Sequence, residues 1–313
     1  MDIDRTVLKQ ADCWFTTDRV AGREDVTSFK RAARFHQANW REARGLSKGG
    51  HSRLGKTYVN GSKIATDPEN DWANFLSPVI REAVAHRLHK DQYEDFQTLD
   101  TKRLRFDLLS SMPMCFNLFG ELHADPIRAA AAAAFVSGRQ THGPVEVRFE
   151  FSPGRRNPHY LGDRTAFDAA LLIGDASQPR DFVGIETKYH EHALREHLPD
   201  ERSRMPRYRE VTEASGIFKA KWASKVLGTD LQQLWRDHLL VLAMNQSDRW
   251  GSGTYLLVYP AGNPSFAKAA AKYRDVLKDD STFQVRTIED LLDADLFHDP
   301  KTALAFRERY ILA

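Results

Sequence analysis

One stretch decides the predicted fold: residues 181–189, DFVGIETKY, an apolar run interrupted by Glu186 and Lys188. Side chains two apart on a strand point to the same face, so Glu186 and Lys188 are predicted to lie side by side. The preceding stretch, residues 165–173 (TAFDAALLI), predicts another strand and carries Asp168. The short link between the two strands predicts an antiparallel hairpin with a longer loop, which brings Asp168 beside Glu186.

The surrounding sequence predicts a mixed α/β core. Residues 145–151 (VEVRFEF) alternate apolar and charged side chains, which indicates a strand with one face in solvent. Residues 190 to about 225 are interpreted as a polar connection. The elements expected beyond it are a helix at 231–244, a strand at 254–259, a helix at 265–277, a short strand at 283–286 and a terminal helix. The order helix, three strands, helix, strand, helix predicts an α/β fold with a mixed, α+β type of sheet.

Residues 1–110 predict a helical, basic extension ahead of a core at 111–313. Helical spacing of apolar residues indicates one helix from about Thr27 to Trp40 and another over residues 71–89. A glycine-rich loop is expected between them. Further helices are expected between residues 108 and 138, interrupted at Pro113 and Pro126.

Composition excludes several classes of protein. The 313 residues are 42% hydrophobic and 28% charged, as is typical of globular chains. There is no apolar run of about 18 residues and no apolar segment at the N-terminus, so no membrane partner is expected. Cys13 and Cys115 lie far apart, without the spacing of a zinc site or a disulfide framework. These features predict a soluble, cytoplasmic protein, and they leave the oligomeric state open, a dimer included.

The three charged residues of the predicted hairpin suggest a metal site. Asp168 and Glu186 would offer the hard oxygen ligands that Mg²⁺ or Mn²⁺ prefers, with the Thr187 carbonyl as a further ligand. Lys188 beside the ion could orient or deprotonate a water molecule and stabilise phosphate charge, which is what phosphodiester hydrolysis requires. The alternative is a cross-strand surface pair of Glu186 and Lys188 with Asp168 solvated. Charges that interrupt apolar strands are costly when buried without a partner, which favours the metal site.

This pattern resembles the PD-(D/E)XK nuclease superfamily, in which an acid ends one strand and (D/E)-x-K lies on the next. Asp168 followed by Glu186-Thr187-Lys188 fits that motif. One restriction-endonuclease-like bacterial family within it is similar at four stretches: residues 149–153 (FEFSP), 167–169 (FDA), 186–189 (ETKY) and 233–238 (QLWRDH).

The resemblance implies a restriction-endonuclease-like core of order αβββαβ and a metal-dependent nuclease that acts on DNA. It also implies an acid from the helix before the strands, for which Glu121 is the candidate and Glu150 on the first strand the competitor. Gln233 is implied as a polar helix residue near the site. Each of these three has an ordinary alternative as a surface side chain, and the whole chain has an alternative as a catalytically inactive nucleic-acid-binding protein of the same fold.

Basic residues near the predicted site suit a polyanionic partner. A groove that binds the nucleic-acid backbone would collect such side chains on one face. The alternative is a solvated connection compensated by Glu201, Glu210 and Glu213. The residues predicted to contact nucleic acid are Arg155, Arg156, Arg204, Arg207, Lys219 and Lys221.

Residues 50–57, GHSRLGKT, match the phosphate-loop pattern G-x-x-x-x-G-K-[ST]. That loop needs a buried strand before it and a helix after it. Charged residues precede the stretch, and Asn60-Gly61 and Pro68 follow it, which disfavours a helix. A nucleotide-dependent enzyme is therefore the lesser alternative.

Overall fold

A computed structural model describes residues 3–53 and 55–312 of the chain. The helices are α1 Arg5–Gln10, α2 Glu24–Ala43, α3 Pro78–Leu88, α4 Thr101–Phe106, α5 Ser111–Phe119, α6 Pro126–Ser137, α7 Met205–Ser215, α8 Trp222–Val226, α9 Gln232–Asn245, α10 Pro264–Arg274, α11 Ile288–Asp293 and α12 Pro300–Tyr310. The strands are β1 Lys48–Arg53, β2 Lys56–Ile64, β3 Val145–Phe151, β4 Phe167–Ile173, β5 Arg180–Thr187, β6 Trp250–Tyr259 and β7 Phe283–Thr287.

The central sheet has the order β3-β4-β5-β6-β7. Strands β3, β4 and β5 pair antiparallel, whereas β5, β6 and β7 pair parallel. This mixed sheet confirms the predicted α/β class, including the hairpin of β4 and β5. The parallel step from β5 to β6 crosses through α7, α8 and α9, as a parallel connection requires.

Each face of the sheet is buried under helices. Successive residues on β4 separate accordingly: Leu171 joins the cluster that includes α5 and α6, while Leu172 joins the cluster that includes α7 and α9. On β5, Val183 and Phe182 separate in the same way. Glu186 lies an even number of residues from Phe182, which places it on the face covered by α9.

The N-terminal part differs from the prediction at two places. The expected loop after α2 is an antiparallel hairpin of β1 and β2, so that prediction is wrong. Residues 50–53 lie in β1 and residues 56 and 57 in β2, while Leu54 falls outside the described residues. The stretch that matches a phosphate loop therefore belongs to two paired strands, and β2 rather than a helix follows it.

The second difference concerns helix starts. The expected helix at 71–89 begins only at Pro78, because the Ser77 side chain accepts the Ile80 N–H and Pro78 occupies the first turn. Pro113 does not interrupt α5, since it too lies in the first turn, where its missing N–H costs no helical hydrogen bond.

The division at residue 110 stays a prediction. Phe75 and Ile80 on one side of it and Ile185 on the other belong to one buried cluster. On the same N-terminal side, the Gln37 side chain of α2 donates to the Tyr189 hydroxyl at 2.9 Å. Within the described ranges, no helix is both long and apolar enough to cross a membrane.

The connection expected between 190 and 225 contains α7 and α8, so its prediction as a loop is wrong. In α7, Met205, Tyr208, Val211 and Thr212 are buried at helical spacing. The abundant charged residues between them obscured that spacing in the sequence.

Candidate active site

Three acidic residues stand in one row across three antiparallel strands. Ala169 on β4 pairs with Phe149 on β3 and with Ile185 on β5. One step from these three residues toward the same end of the sheet, each strand carries an acid: Glu150 on β3, Asp168 on β4 and Glu186 on β5. The register of the sheet thus assembles residues that are 36 positions apart along the chain.

Glu150 has a backbone conformation that is rare for its residue type, with φ of 51° in the left-handed region. Its neighbours Phe149 and Phe151 pack into the clusters on opposite faces of the sheet, although residues two apart on a regular strand share a face. The irregularity therefore lies at the residue that enters the row. Strained backbone of this kind is typical of functional sites.

The row lines a cleft with a cavity volume of about 380 Å³, together with side chains of α9 and the exposed Arg164 and Arg204, which form its basic rim. Glu150 and Glu186 are 9% and 8% exposed. Burial and the charge of Asp168 raise the pKa of Glu150 to about 7. Burial and the charge of Glu186 raise the pKa of Asp168 to about 7. Burial likewise raises the pKa of Glu186 to about 7, in spite of the nearby Lys188. The cleft holds more buried negative charge than its surroundings neutralise.

Lys188 lies directly after β5, where its backbone N–H donates to the Val258 carbonyl at 2.8 Å. Its ammonium Nζ is 2.6 Å from Glu186 Oε1. Burial disfavours the charged ammonium, but the neighbouring carboxylates, Glu186 first among them, raise the pKa of Lys188 above its ordinary value. Both side chains are buried, unlike the members of an exposed surface pair.

Thr187 orients Asp168. Its backbone N–H and its hydroxyl donate to Asp168 Oδ2 at 2.8 and 2.7 Å. Gly184 allows the strands to approach here, because a Cβ at that position would lie 2.5 Å from Cε1 of the Phe167 ring. The glycine ahead of Glu186 therefore accommodates the aromatic residue ahead of Asp168.

Helix α9 closes the cleft from above the sheet. Gln233 donates from Nε2 to Glu186 Oε1 at 3.3 Å. Asp237 lies one turn further along on the same face and is 5% exposed. Its Oδ2 is buried without a hydrogen-bond partner among the described residues. Burial raises the pKa of Asp237 to about 6.

The sequence analysis missed Asp237. Its spacing of four residues from Gln233, which places both on one face of a helix, was the signal that could have identified it. Arg236 beside it also lines the cleft, and its guanidinium donates to Glu196 at 2.8 Å.

Glu121 does not line this cleft, so the structure brings Glu150 and not Glu121 to the row. Glu121 lies in a 3₁₀ turn at Gly120–His123 and faces the start of α12. Its carboxylate accepts hydrogen bonds from the Ser77 hydroxyl at 2.8 Å, the Thr302 hydroxyl at 2.7 Å and the Asp299 N–H at 2.7 Å. The carboxylate is thereby committed to joining α3 and α12 to the core.

The predicted nucleic-acid contacts divide into two groups. Three of them already bind groups of the protein itself, which differs from the expected groove; of these, Arg155 is buried, Arg207 is half-buried and Lys219 is exposed. Arg155 is buried, pairs with Glu94 and donates to the Glu150 carbonyl at 3.0 Å. Arg207 donates to the backbone carbonyls of residues 159 and 160, and Lys219 donates to the Asp275 carbonyl at 2.8 Å.

The second group is exposed. Arg204 lines the cleft, and its guanidinium makes no hydrogen bond or ion pair within the described part of the chain. Arg156 is exposed, with its guanidinium 4.1 Å from the centroid of the Phe96 ring. Lys221 is also exposed, but it lies outside the cleft. Arg164 lines the cleft and was not predicted.

The donor set fits a hard divalent cation, although the side chains are not yet arranged around one. In the described ranges 3–53 and 55–312, no three acidic, histidine or cysteine side chains converge as the ligands of one ion do. The Lys188 ammonium donates a hydrogen bond to Glu186 Oε1, and the Thr187 hydroxyl donates one to Asp168 Oδ2. Carboxylates whose pKa is raised by burial and mutual repulsion are the groups that a divalent cation would stabilise most.

A comparison with known protein families gives one match. The model of a family described as the PD-(D/E)XK nuclease superfamily matches residues 23–312. No curated protein and no solved structure matches the chain. The family match runs from just before α2 into the end of the chain, and it includes every residue of the cleft.

Proposed function

This chain belongs to the PD-(D/E)XK nuclease superfamily, and we propose that it hydrolyses phosphodiester bonds in DNA with a divalent cation, Mg²⁺ or Mn²⁺. The observation that carries the proposal is the row of Glu150, Asp168 and Glu186 in one cleft, with Lys188 beside it. Buried acids in this arrangement destabilise one another, and such an arrangement is expected where a cation and a polyanion bind.

In this proposal Asp168 and Glu186 hold the cation, with the Thr187 carbonyl as a further ligand. When bound, the cation would neutralise phosphate charge and acidify a coordinated water. Thr187 holds Asp168 in orientation through two hydrogen bonds, and Gln233 does the same for Glu186 through one.

Lys188 supplies positive charge at the reacting phosphate. Its raised pKa keeps the ammonium charged at neutral pH, which favours stabilisation of phosphate oxygens and orientation of water over proton abstraction. Glu150 at the end of the row can exchange a proton near neutral pH, because burial raises its pKa to about 7. Its place in the row beside Asp168 makes Glu150 the candidate for the additional acid of the site.

The rim supports a DNA substrate. Arg204 and Arg164 are exposed at the cleft, where cationic side chains would bind the phosphates flanking the scissile bond. Two buried, free cysteines, Cys13 and Cys115, are consistent with the proposed cytoplasmic location.

A nucleotide-dependent activity at residues 50–57 has less support, since that stretch is part of the β1–β2 hairpin. Calorimetry with ATP and GTP tests it directly, and no heat of binding is expected. The other alternative, a protein of the same fold that binds nucleic acid without cleaving it, is tested by the cleavage experiment below.

The test is incubation of the purified chain with plasmid, linear duplex and single-stranded DNA, and with RNA, in the presence of Mg²⁺, Mn²⁺ or EDTA. We expect DNA cleavage that EDTA abolishes. Lys188→Ala and Glu186→Gln should abolish it too. Glu146→Gln is the matched control, because Glu146 lies on the same strand as Glu150 but outside the cleft, paired with Arg148 and Arg180. Cleavage that persists in EDTA or in both site variants contradicts the proposal, and cleavage of RNA alone contradicts the substrate.

A further inference from the structure

Glu186 faces a conflict between two partners. Its Oε1 already accepts hydrogen bonds from Lys188 Nζ at 2.6 Å and from Gln233 Nε2 at 3.3 Å. An oxygen that is bound so closely by an ammonium is not free to bind a cation. Glu186 Oε2 makes no hydrogen bond in the described part of the chain, so Lys188 must move away only if Glu186 is to contribute both of its oxygens to a metal site.

Lys188 cannot simply be released. Its side chain is about as buried as that of Glu186, and a buried ammonium without a counter-charge is strongly destabilising. Nor does release into solvent fit its role, because the ammonium is needed near the phosphate. A second carboxylate within the buried part of the cleft has to accept it.

Asp237 has the properties of that second acceptor. It lies on the face of α9 that also presents Gln233 to Glu186, and it lines the cleft. Its Oδ1 is 3.7 Å from Arg236 Nε, whereas Oδ2 is buried with no hydrogen-bond partner among the residues described. A buried carboxylate oxygen without a donor is costly and indicates a partner that arrives in another state.

Of the other carboxylates around Lys188, Glu191 and Asp168 each already accept hydrogen bonds through one oxygen, and Asp168 is itself proposed to hold the cation. Glu191 Oε2 accepts the Tyr189 N–H at 2.7 Å, and Asp168 Oδ2 accepts two bonds from Thr187. After Glu186, Asp237 is the acid that raises the pKa of Lys188 most, ahead of both. The place of Asp237 in the cleft and its unused oxygen thus point to the same residue.

We propose that Asp237 is a positioning residue that receives the Lys188 ammonium when Glu186 turns its oxygen to a divalent cation. The exchange frees Glu186 Oε1, keeps the ammonium paired and holds it beside the phosphate. This inference rests on the proposed function, because it concerns the cation site of the same cleft.

The test measures binding of Mn²⁺ alone, without DNA, from the electron paramagnetic resonance signal of the free ion. Four proteins form a cycle: wild type, Asp237→Asn, Lys188→Met and the double variant. Asp237→Asn should weaken Mn²⁺ binding about 10-fold, as loss of a supporting residue does. In the Lys188→Met background the same change should alter binding by less than about twofold, since no ammonium needs a new partner. Lys188→Met alone should tighten binding, because it removes the competitor for Glu186 Oε1.

Two controls keep the result specific. Glu196→Gln removes the other carboxylate paired with Arg236 and should bind Mn²⁺ like wild type, which separates the position of Asp237 from net charge. Asp237→Glu keeps a carboxylate and should restore most of the affinity. Thermal unfolding of each variant checks that the fold is retained.

The outcomes separate the two proposals. An equal loss of affinity from Asp237→Asn in both backgrounds would mean that Asp237 binds the cation directly, and no loss in either would mean that it plays no part; each overturns the inference alone. If wild type does not bind Mn²⁺, or if Asp168→Asn binds it as well as wild type, the cation site itself is wrong and both proposals fall.

Discussion

Glu121 and Glu186 are both buried glutamates, 5% and 8% exposed, yet they lie in opposite kinds of surroundings. Glu121 accepts three hydrogen bonds from neutral groups and lies 3.7 Å from Arg128. Glu186 has one ammonium and one distant amide as donors, and it stands in a row with the buried Glu150 and the half-buried Asp168. The first carboxylate has enough donors; the second does not.

The difference teaches how to distinguish a structural acid from one that we propose to act in catalysis. A buried carboxylate with a full set of donors stabilises the folded chain, and its removal leaves those donors unsatisfied. Buried carboxylates that crowd together destabilise the fold until a cation arrives, a cost that active sites commonly carry. The predictions below test this contrast by changing each side of it.

The largest effect is expected from Glu186→Gln. Because the variant loses a negative charge at the proposed cation site, its cleavage rate should fall about 10³-fold. Its thermal midpoint should stay close to that of wild type: the variant removes a buried charge with few donors, and the Lys188 ammonium, which loses its counter-charge, can turn to the unused Oδ2 of Asp237. Single-turnover cleavage of linear DNA and calorimetric unfolding measure the two quantities. A variant that is unstable and still active would reverse the contrast with Glu121.

Glu121→Ala should have the opposite profile. Removing this carboxylate leaves the Ser77 and Thr302 hydroxyls and the Asp299 N–H without their acceptor. The free energy of unfolding should therefore fall by about 3 kcal/mol. Cleavage by the protein that remains folded should stay near the wild-type rate. Urea denaturation provides the measurement. Glu213→Ala, an exposed glutamate on α7, is the matched control and should change stability by less than about 0.5 kcal/mol. A loss of cleavage without a loss of stability would return Glu121 to the site.

The pH dependence of stability should separate wild type from Asp168→Asn. The pKa of Asp168 is raised from 3.8 to about 7 in the folded chain, so the folded state binds more protons than the unfolded state between these values. Stability from this residue is fully present at low pH and is lost as pH rises through about 7. The stability of Asp168→Asn relative to wild type should therefore grow by about 2 kcal/mol from pH 5 to pH 8, in EDTA. A constant difference across this range would contradict the raised pKa.

Much of the fold could be predicted because its strongest signals are local. The alternation of apolar and charged residues fixed β3 at Val145–Phe151, and the apolar runs with turn residues between them located β4 and β5. The hairpin followed from the short link, and with it the meeting of Asp168 and Glu186. The spacing of apolar residues along the sequence and the length of the connecting loop determine these features without knowledge of the tertiary structure.

The remainder depends on three-dimensional packing. Helix α7 was hidden because its exposed faces carry most of its residues, and β1 and β2 carry too little alternation to be recognised. The choice of Glu150 over Glu121 required the register of the sheet and the left-handed backbone at Glu150. No sequence pattern shows that Asp237 Oδ2 lacks a hydrogen-bond donor among the described residues, because this depends on which side chains surround it in the folded protein.

A smaller effect is expected from Gln233→Ala. This side chain gives Glu186 a second donor, at 3.3 Å, without carrying charge, so its loss should lower the cleavage rate about 10-fold and leave the fold intact. Gln246→Ala, an exposed glutamine at the other end of α9, is the control and should cleave like wild type. Equal rates in the two variants would show that Gln233 does not orient Glu186.

The smallest effect is expected at the rim, where Arg204 and Arg207 repeat the contrast between a free group and a satisfied one. The Arg207 guanidinium donates to two backbone carbonyls and pairs with Glu210, whereas the Arg204 guanidinium has no hydrogen bond or ion pair in the described part of the chain. Of the two, only Arg204 therefore has its charge available for a phosphate.

In the inactive Glu186→Gln background, Arg204→Ala should weaken duplex DNA binding about threefold at moderate salt and reduce the slope of log affinity against log salt by about 1. Arg207→Ala should leave that slope unchanged, because its charge is held by the protein before DNA arrives. The measurement is equilibrium binding of duplex DNA over a series of salt concentrations. If both variants lower the slope equally, an arginine that is already hydrogen-bonded within the protein can exchange those partners for phosphate. The contrast between Glu121 and Glu186 would then hold for buried acids but not for the arginines at the cleft.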